Sequence, residues 1–284
     1  MSLKEYIRKI VPDKLYLKYK FYKKMKKQLN LDNPQTFNEK LQWLKLYDRN
    51  PEYTRMVDKY EVKKYVAEKI GEEYIIPTLG VWNKFEDIDF EELPNQFVLK
   101  CTHDSGGVVI CKDKSTFDFN AANKKLTHCL KRNYFWKGRE WPYKNIKPRI
   151  IAEQYIAEDL VDYKFMCFSG EVKCSFICTN RFSTQGLHVT FFDREWNLLP
   201  FARHYPFLKD GFPRPENYET MLFLSEKLSA TIPFVRVDFY EFQGNIFFGE
   251  LTFYPGNGFE EFTPEAWDYR IGNWINLNKI SMRK

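Results

Sequence analysis

Residues 234–252, FVRVDFYEFQGNIFFGELT, contain two apolar segments separated by the turn-forming pair Gln243-Gly244. Each segment is rich in Phe, Val and Ile, so the stretch predicts a β-hairpin. Arg236 and Asp238 alternate with valines and therefore share one face of the first strand. Because charged groups are costly in an apolar core, this face is expected to border a polar cleft.

The second strand of this hairpin carries two further oxygen-bearing side chains. Glu250 and Thr252 lie two residues apart, and hairpin pairing places Glu250 beside Asp238. Neighbouring carboxylates repel each other unless a cation lies between them. Mg²⁺ is one such cation, since it needs only one or two carboxylates besides phosphate oxygens and water. The alternative is a surface carboxylate pair that a nearby Arg or Lys neutralises.

A lysine followed by a small-residue loop marks a second segment, residues 97–107, FVLKCTHDSGG. Lys100 ends an apolar strand, so its ammonium extends from a rigid base. Gly106 and Gly107 allow backbone amides to approach a bound anion closely. Taken alone, a lysine at a strand end is more often a surface residue than a ligand-binding one. The two polar residues before Ser105 are expected to form an exposed pair: His103 and Asp104.

A third segment, residues 150–165, IIAEQYIAEDLVDYKF, leads from one strand through an acidic link into another. The crossing at residues 153–156 offers backbone N–H and C=O groups with which the edge of an adenine can pair. Glu158 and Asp162 are candidate acceptors of a ribose hydroxyl bond, and Lys164 follows on the new strand. The alternative is an ordinary junction between two lobes with solvated acidic side chains.

The net charge of +6 is concentrated at the N-terminus. Residues 1–30 contain ten Lys/Arg and two acidic residues, a local charge of +8, which leaves −2 for the remainder. Such an arm suits an anionic surface: a membrane leaflet, an acidic polymer or RNA. A general nucleic-acid binder usually spreads its positive charge over a working face, so no nucleic-acid partner is expected. Leu3, Ile7 and Ile10 are predicted to share one helical face before Pro12.

Cysteine and hydropathy patterns indicate the cellular compartment of the protein. The sequence lacks an apolar run of the length that crosses a membrane, and its first residues lack the apolar stretch of a signal peptide. It contains six Cys without a CxxC pair, and only four His. These features predict a cytoplasmic protein with reduced, buried thiols and no structural zinc site.

Local signals predict a helical region followed by an α+β body. Thr36 and Glu39 have the spacing of a capping box, and a later helix is predicted over 53–70, ending at Gly71. Beyond it, short apolar segments predict mostly antiparallel strands, including a hairpin that turns at Ser169-Gly170.

Together, these segments resemble the ATP-grasp superfamily over about two thirds of the chain, and the strings FVLKCTHDSGG, DYKFMCFSGEV and RVDFY…FGELTFYPGNGF resemble its TupA-like branch. The resemblance implies an α+β ATP-grasp fold, in which two α+β lobes hold ATP between antiparallel sheets. The implied limits are residues 1–73 for a helical, basic N-terminal region, 74–152 for lobe A, and 153–284 for lobe B with the metal site.

The resemblance also implies a role for each candidate residue. The implied ATP-binding residues are Lys100, Ser105, Gly106, Gly107, Glu153, Gln154, Tyr155, Ile156, Asp162 and Lys164. The implied Mg²⁺ ligands are Asp238, Glu250 and Thr252, and the implied catalytic residues are Arg236 and Lys164. Thr252 stands where most of the superfamily has Asn, and the basic helical N-terminus departs from the common βαβ lobe.

The implied activity is ATP-dependent ligation of a carboxylate to an amine through an acyl phosphate. Members of the TupA-like branch tend to occur in surface-polysaccharide pathways. The resemblance therefore implies that an amino acid is joined to a uronic-acid sugar or an acidic polymer such as a capsule. Residues 1–30 are expected to contact the inner, anionic face of the membrane in such a pathway. The alternative is that these helices pack on the catalytic body and that their lysines are merely solvated.

Three alternatives to a ligase remain. Asp87-Ile88-Asp89 has the Asp-x-Asp form that holds a metal and a sugar diphosphate in nucleotide-sugar glycosyltransferases. FVLK and Val237-Asp238-Phe239 are similar to protein-kinase motifs, although no HRD-type catalytic loop lies between them. The chain is also consistent with a non-catalytic, membrane-docked assembly protein that has kept the fold.

Overall fold

A computed structural model describes residues 9–158, 160–179 and 186–278. The chain forms two compact units, the first from segments 1–49 and 160–284 and the second from segment 50–159. The N-terminal helical region is thus divided between the units. Of the helical face predicted before Pro12, Leu3 and Ile7 lie outside the described residues.

Helices and strands are numbered here along the described chain. The helices are α1 (Asp13–Met25), α2 (Phe37–Tyr47), α3 (Glu52–Val57), α4 (Glu61–Ile70), α5 (Phe119–Leu130), α6 (Phe135–Gly138), α7 (Tyr218–Ser229) and α8 (Ala266–Asn273). The strands are β1 (Thr78–Trp82), β2 (Phe97–Cys101), β3 (Val108–Cys111), β4 (Ile150–Gln154), β5 (Asp162–Phe168), β6 (Glu171–Thr179), β7 (His188–Phe192), β8 (Ala202–Arg203), β9 (Val235–Phe242), β10 (Asn245–Thr252) and β11 (Phe262–Thr263). Single turns of 3₁₀-helix cover Glu72–Tyr74, Phe85–Asp87, Lys114–Thr116, Trp141–Tyr143 and Pro255–Gly258.

The second unit contains a four-stranded antiparallel sheet in the order β1-β4-β2-β3. Helix α5 packs on β2 and β3 through its apolar face. The core between them consists of fully buried side chains from the strands and the helix: Phe97, Leu99, Cys101, Cys111, Leu126, Ile150 and Ala152. This core gives β2 and β4, which carry candidate site residues, a rigid base.

The first unit contains a five-stranded sheet in the order β10-β9-β5-β6-β7. Every pairing in it is antiparallel. Helix α7 covers β5, β6 and β9. A two-stranded sheet of β8 and β11 lies in the same unit, and α2 packs on α8. The predicted hairpin turns at Ser169-Gly170 and Gln243-Gly244 are both confirmed, with positive φ at all four residues.

The capping box is also confirmed. Thr36 Oγ1 accepts the backbone N–H of Glu39, and the Glu39 carboxylate accepts the backbone N–H of Thr36. The single helix predicted over 53–70 is wrong, because it is two helices with a break at Asp58. The Asp58 carboxylate accepts the backbone N–H groups of Tyr60 and Glu61 at 2.9 and 3.2 Å. Such local bonding competes with the helical pattern and starts α4 anew.

Helix α1 is part of a packed cluster. Its buried residues Leu17 and Phe21 contact Leu29, Leu31 and Phe259. No helix in the described ranges is both long enough and apolar enough to cross a bilayer. The six cysteines are free thiols, five buried and Cys178 half-buried.

Candidate active site

The β9–β10 hairpin places two carboxylates side by side. Asp238 pairs with Glu250 across the strands, and Arg236 pairs with Thr252. The register shifts between Phe248 and Glu250, at Gly249. A Cβ atom at Gly249 would lie 3.1 Å from the Asp238 carbonyl oxygen, so this bulge suits glycine. The predicted neighbourhood of Asp238 and Glu250 is confirmed.

Two cations partly neutralise this carboxylate cluster. The Arg236 guanidinium donates to both oxygens of Asp238, at 2.6 and 2.5 Å, and to Glu250 at 2.7 Å. From the adjacent strand β5, the Lys164 ammonium lies 2.5 Å from oxygens of Asp238 and Asp162. Three carboxylates thus face two cations, which leaves a formal charge of −1.

Burial and charge have opposite effects within this cluster. Burial alone would lower the pKa of Lys164, but attraction to Asp238 and Asp162 outweighs it and raises that pKa. Burial raises the pKa of Asp238, while Arg236 and Lys164 oppose this rise by favouring the carboxylate. The cluster is therefore built to keep both cations charged in a desolvated setting.

The oxygen donors of the hairpin fit Mg²⁺. Asp238 and Glu250 offer carboxylates, and the Thr252 hydroxyl lies 3.1 Å from a Glu250 oxygen, to which it donates. The Glu250 side chain is 46% exposed and therefore accessible to a ligand. No group of three or more His, Cys, Asp or Glu side chains in the described residues could hold a metal ion. These donors suit a cation that takes its remaining ligands from phosphate and water.

A second charged cluster surrounds Glu153, which lies on β4 in the other unit. Lys100 on β2 donates to one carboxylate oxygen at 2.5 Å, and Lys63 on α4 lies 2.6 Å from the other. Lys63 also donates to the Ile76 carbonyl at 2.6 Å. Burial would raise the pKa of Glu153, but Lys100 and Lys63 outweigh it and lower that pKa. The two cations leave this cluster with a formal charge of +1, which favours anions.

Sequence reasoning did not find Lys63. A lone lysine on a helix carries no motif, yet Lys63 lies one helical turn before Val66, which is fully buried. That spacing is a signal that the lysine borders the core. Lys100 lies near the end of β2, as predicted, and the alternating burial of that strand leaves it half-buried.

The loop after Lys100 is anchored at its base and exposed at its tip. The expectation that His103 and Asp104 are exposed is wrong, because they are 2% and 3% exposed. His103 Nε2 lies 3.2 and 3.1 Å from the carbonyl oxygens of Cys129 and Arg132. Asp104 pairs with Arg132, and its carbonyl accepts from Lys59 at 2.6 Å. Polar residues in this loop are buried because α5 and the chain before α4 supply their partners.

Beyond this base, Ser105 and Gly106 are exposed, whereas Gly107 is buried. Gly106 has a φ of +96°, which favours glycine. A Cβ atom at Gly107 would lie 3.1 Å from Cys101 Cβ, tighter than most side-chain contacts. The loop tip therefore offers backbone to a ligand with no bulky side chain in front of it.

The segment after β4 contains the remaining candidates. Gln154 ends β4 and its backbone N–H donates to the Pro77 carbonyl at 3.0 Å. Tyr155 and Ile156 follow outside regular structure and are half-buried. Glu158 pairs with Lys112, whereas Asp162 pairs with Lys164. Glu153 therefore belongs to the lysine cluster. Gln154, Tyr155 and Ile156 lie at the crossing from strand to acidic link that the sequence predicted.

The Asp-x-Asp motif lies elsewhere in the second unit. Asp87 ends a 3₁₀ turn and Ile88 is buried in the core. The Asp89 carboxylate accepts the backbone N–H of Glu91 at 2.9 Å. This arrangement is an ordinary turn, and Asp89 already has a role in it.

Comparisons with known proteins place this architecture among the ATP-grasp proteins. Residues 39–276 match the family described as TupA-like ATPgrasp. The chain belongs to the TupA-like ATP-grasp family, and its α+β antiparallel organisation is the ATP-grasp fold. No curated protein matches the sequence.

Three solved structures illustrate the similarity. D-alanine–D-alanine ligase from Bacillus anthracis, complexed with ATP, is 19% identical with a TM-score of 0.39, over 69% of this chain and 53% of that chain. The ATP-grasp ligase PsnB, complexed with minimal precursor, Mg and ADP, is 11% identical with a TM-score of 0.41, over 76% and 57%. An ATP-grasp RimK domain protein from Sphaerobacter thermophilus is 11% identical with a TM-score of 0.43, over 78% and 69%. The chain thus spans little more than half the length of the first two.

Proposed function

We propose that this protein is an ATP-dependent carboxylate–amine ligase. The observation that carries the proposal is the pairing of Asp238 with Glu250 beside Arg236 and Lys164, in a chain of the TupA-like ATP-grasp family. An adjacent carboxylate pair with two buried cations is suited to a metal–phosphate complex.

Each cluster has a part in this proposal. Lys100 and the tip Ser105–Gly107 bind phosphate oxygens of ATP, and residues 154–156 bind adenine through their backbone. Asp238, Glu250 and Thr252 hold Mg²⁺, which when bound neutralises the phosphates and fixes the γ-phosphate for transfer. Asp162 serves as the ribose contact, and Lys164 and Arg236 neutralise charge that builds up on the transferred group.

The reaction has two balanced steps. A substrate carboxylate oxygen attacks the γ-phosphorus, the bond to the β-phosphate oxygen breaks, and ADP leaves with an acyl phosphate formed. An amine nitrogen then attacks the acyl carbon, phosphate leaves, and the amine releases a proton as the amide forms. The proposed substrates are a uronic-acid sugar or acidic polymer and an amino acid, in surface-polysaccharide or capsule biosynthesis; membership of the TupA-like family supports this.

Nucleotide binding is the first test. ATP with Mg²⁺ should raise the melting temperature, whereas a UDP-sugar should not. Lys100→Ala should weaken the effect of ATP, and Glu250→Gln should remove its dependence on Mg²⁺. Matched controls are Lys124→Ala and Glu216→Gln, both exposed. Stabilisation by a UDP-sugar alone would favour a glycosyltransferase, and stabilisation by neither ligand would favour an assembly protein.

An ADP-release screen then addresses the substrates. Uronic-acid sugars are combined with each amino acid, and ADP is measured against reactions that lack one of the two. ADP release that needs both substrates supports amide ligation. Sustained release with the sugar alone, with a stable phosphorylated sugar as the product, indicates a phosphotransferase and contradicts the ligase proposal.

A further inference from the structure

The outer face of α1 is an exposed stripe of large side chains. Leu15, Tyr19 and Tyr22 are 60%, 64% and 59% exposed and are spaced at i, i+4 and i+7, so they lie on one face. Nine large hydrophobic side chains are exposed in the described residues, and four of them fall within residues 10–22. Such a concentration marks an interaction surface rather than scattered exposure. We call Leu15, Tyr19 and Tyr22 the tyrosine stripe.

The orientation of the tyrosine stripe is fixed by the opposite face of α1. Leu17 and Phe21 are 0% and 3% exposed and are held in the cluster with Leu29, Leu31 and Phe259. The helix therefore cannot rotate to bury the stripe without opening this cluster. The stripe is a fixed feature of the folded first unit.

Lysines surround the tyrosine stripe. The exposed lysines of α1 and the residues just after it are Lys14, Lys18, Lys23, Lys24, Lys26 and Lys27. Lys27 pairs with Glu265. Asp13 is the only acidic residue between positions 9 and 31, so α1 and the residues just after it form a strongly basic segment.

We propose that α1 docks in its own plane on an anionic lipid bilayer, with the tyrosine stripe in the headgroup region and the lysines beside lipid phosphates. A helix with one apolar aromatic face and flanking lysines is suited to this geometry. Tyrosine is enriched at membrane–water interfaces because its ring is apolar and its hydroxyl is polar. The inference goes beyond the proposed ligase activity and does not depend on it.

Composition favours lipid over nucleic acid as the occupant. Nine of the ten basic residues in segment 1–30 are Lys, which act as point charges toward a diffuse anionic surface. Leu15, which is 60% exposed at the edge of the stripe, gains from apolar insertion and has no use in phosphate recognition. Beyond residue 30 the net charge is −2, so the basic surplus of the chain is confined to segment 1–30.

Vesicle co-sedimentation of the full chain tests the proposal. The vesicles are phosphatidylcholine alone and phosphatidylcholine mixed with phosphatidylglycerol, at low and high salt. We expect binding to the mixed vesicles only, with loss at high salt. Two double variants should each raise the half-saturating lipid concentration at least about tenfold: Tyr19→Ser/Tyr22→Ser and Lys18→Gln/Lys23→Gln. For the lysine variant, the reason is that each lysine contributes about fivefold.

Control variants separate docking from folding. Phe223→Ser removes a 56% exposed aromatic from α7 and should leave lipid binding unchanged. Point variants are used because α1 contributes to a core cluster, so deleting residues 1–30 would disturb folding; unchanged melting temperatures verify that the variants fold. Equal binding by wild type and the Tyr19/Tyr22 variant overturns the proposal. Absence of binding to the mixed vesicles at low salt also overturns it. In that case, sedimentation velocity and titration with an RNA homopolymer would show whether the stripe instead mediates self-association or binds RNA.

Discussion

The Arg236 guanidinium and the Asp238 carboxylate, two residues apart on one strand, form two hydrogen bonds of 2.6 and 2.5 Å. The same guanidinium also donates to Glu250 at 2.7 Å. In this structure an arginine thus occupies the place between two carboxylates that would otherwise repel each other. Arg236 thereby stabilises the free protein, and in the proposed function it also neutralises phosphate charge.

Arg236→Met should destabilise the protein by about 3 kcal/mol, because it leaves buried Asp238 and neighbouring Glu250 without their shared cation. Chemical denaturation measures the loss. Mg²⁺ without nucleotide should then stabilise Arg236→Met more than wild type, since the metal can replace the missing positive charge. Arg214→Met, which breaks an exposed pair with Glu219, should cost less than about 1 kcal/mol. If Mg²⁺ stabilises wild type and Arg236→Met equally, the hairpin carboxylates are not its binding site.

Lys63→Met should lower the free energy of unfolding by about 2 kcal/mol, because Glu153 and the Ile76 carbonyl each lose a charged donor. Lys100 then becomes the only cation at Glu153, so it is held more tightly and ATP affinity should fall as well. The neighbouring Lys64→Met is the matched control, since its side chain is 75% exposed and should change neither quantity. Denaturant titration and calorimetry with ATP measure the two effects. Unchanged ATP affinity in Lys63→Met would separate Glu153 from the nucleotide site.

His103 should make stability depend on pH. Burial lowers its pKa below the ordinary value of 6.5, so the unfolded chain binds a proton more readily than the folded one. The stability contributed by neutral His103 is therefore complete above pH 6.5 and declines as the pH falls below it. In His103→Gln this decline should be absent, whereas the exposed His128→Gln should keep the wild-type slope. Denaturation curves at several pH values between 5 and 8 decide this, and equal slopes in all three proteins contradict the assignment.

The sequence was sufficient where the signal is local. Alternation and turn residues predicted both hairpins and brought Asp238 near Glu250. The turn position alone would pair Asp238 with Gly249, so it is the bulge at Gly249 that sets Asp238 opposite Glu250. The capping box was equally local. The helix break was not predicted because Asp58 resembles any helical surface residue until its backbone bonds are known.

The features that the sequence did not predict depend on contacts between residues that are distant along the chain. Lys63 reaches Glu153 across 90 positions, and buried His103 contacts the carbonyls of Cys129 in α5 and of Arg132 just beyond it. Lysine and histidine are polar residues, so hydropathy assigns them to the surface. Only tertiary packing reveals that their partners are carbonyls and carboxylates already in the core.

The last prediction concerns Lys45 on α2, which is 1% exposed and donates to the Asn257 carbonyl at 2.8 Å. The turn Pro255–Gly258 that it holds follows closely on β10, the strand that carries Glu250 and Thr252. Lys45→Met should destabilise the protein by about 2 kcal/mol and speed amide hydrogen exchange in that turn, because a charged hydrogen bond is lost. Lys40→Met is the matched control: it removes bonds of 2.9 and 3.0 Å to the Gly272 and Ile275 carbonyls from the same helix. We expect Lys40→Met to lower stability without affecting exchange in the turn. Equal exchange in both variants would mean that Lys45 contributes to general packing and does not order this turn.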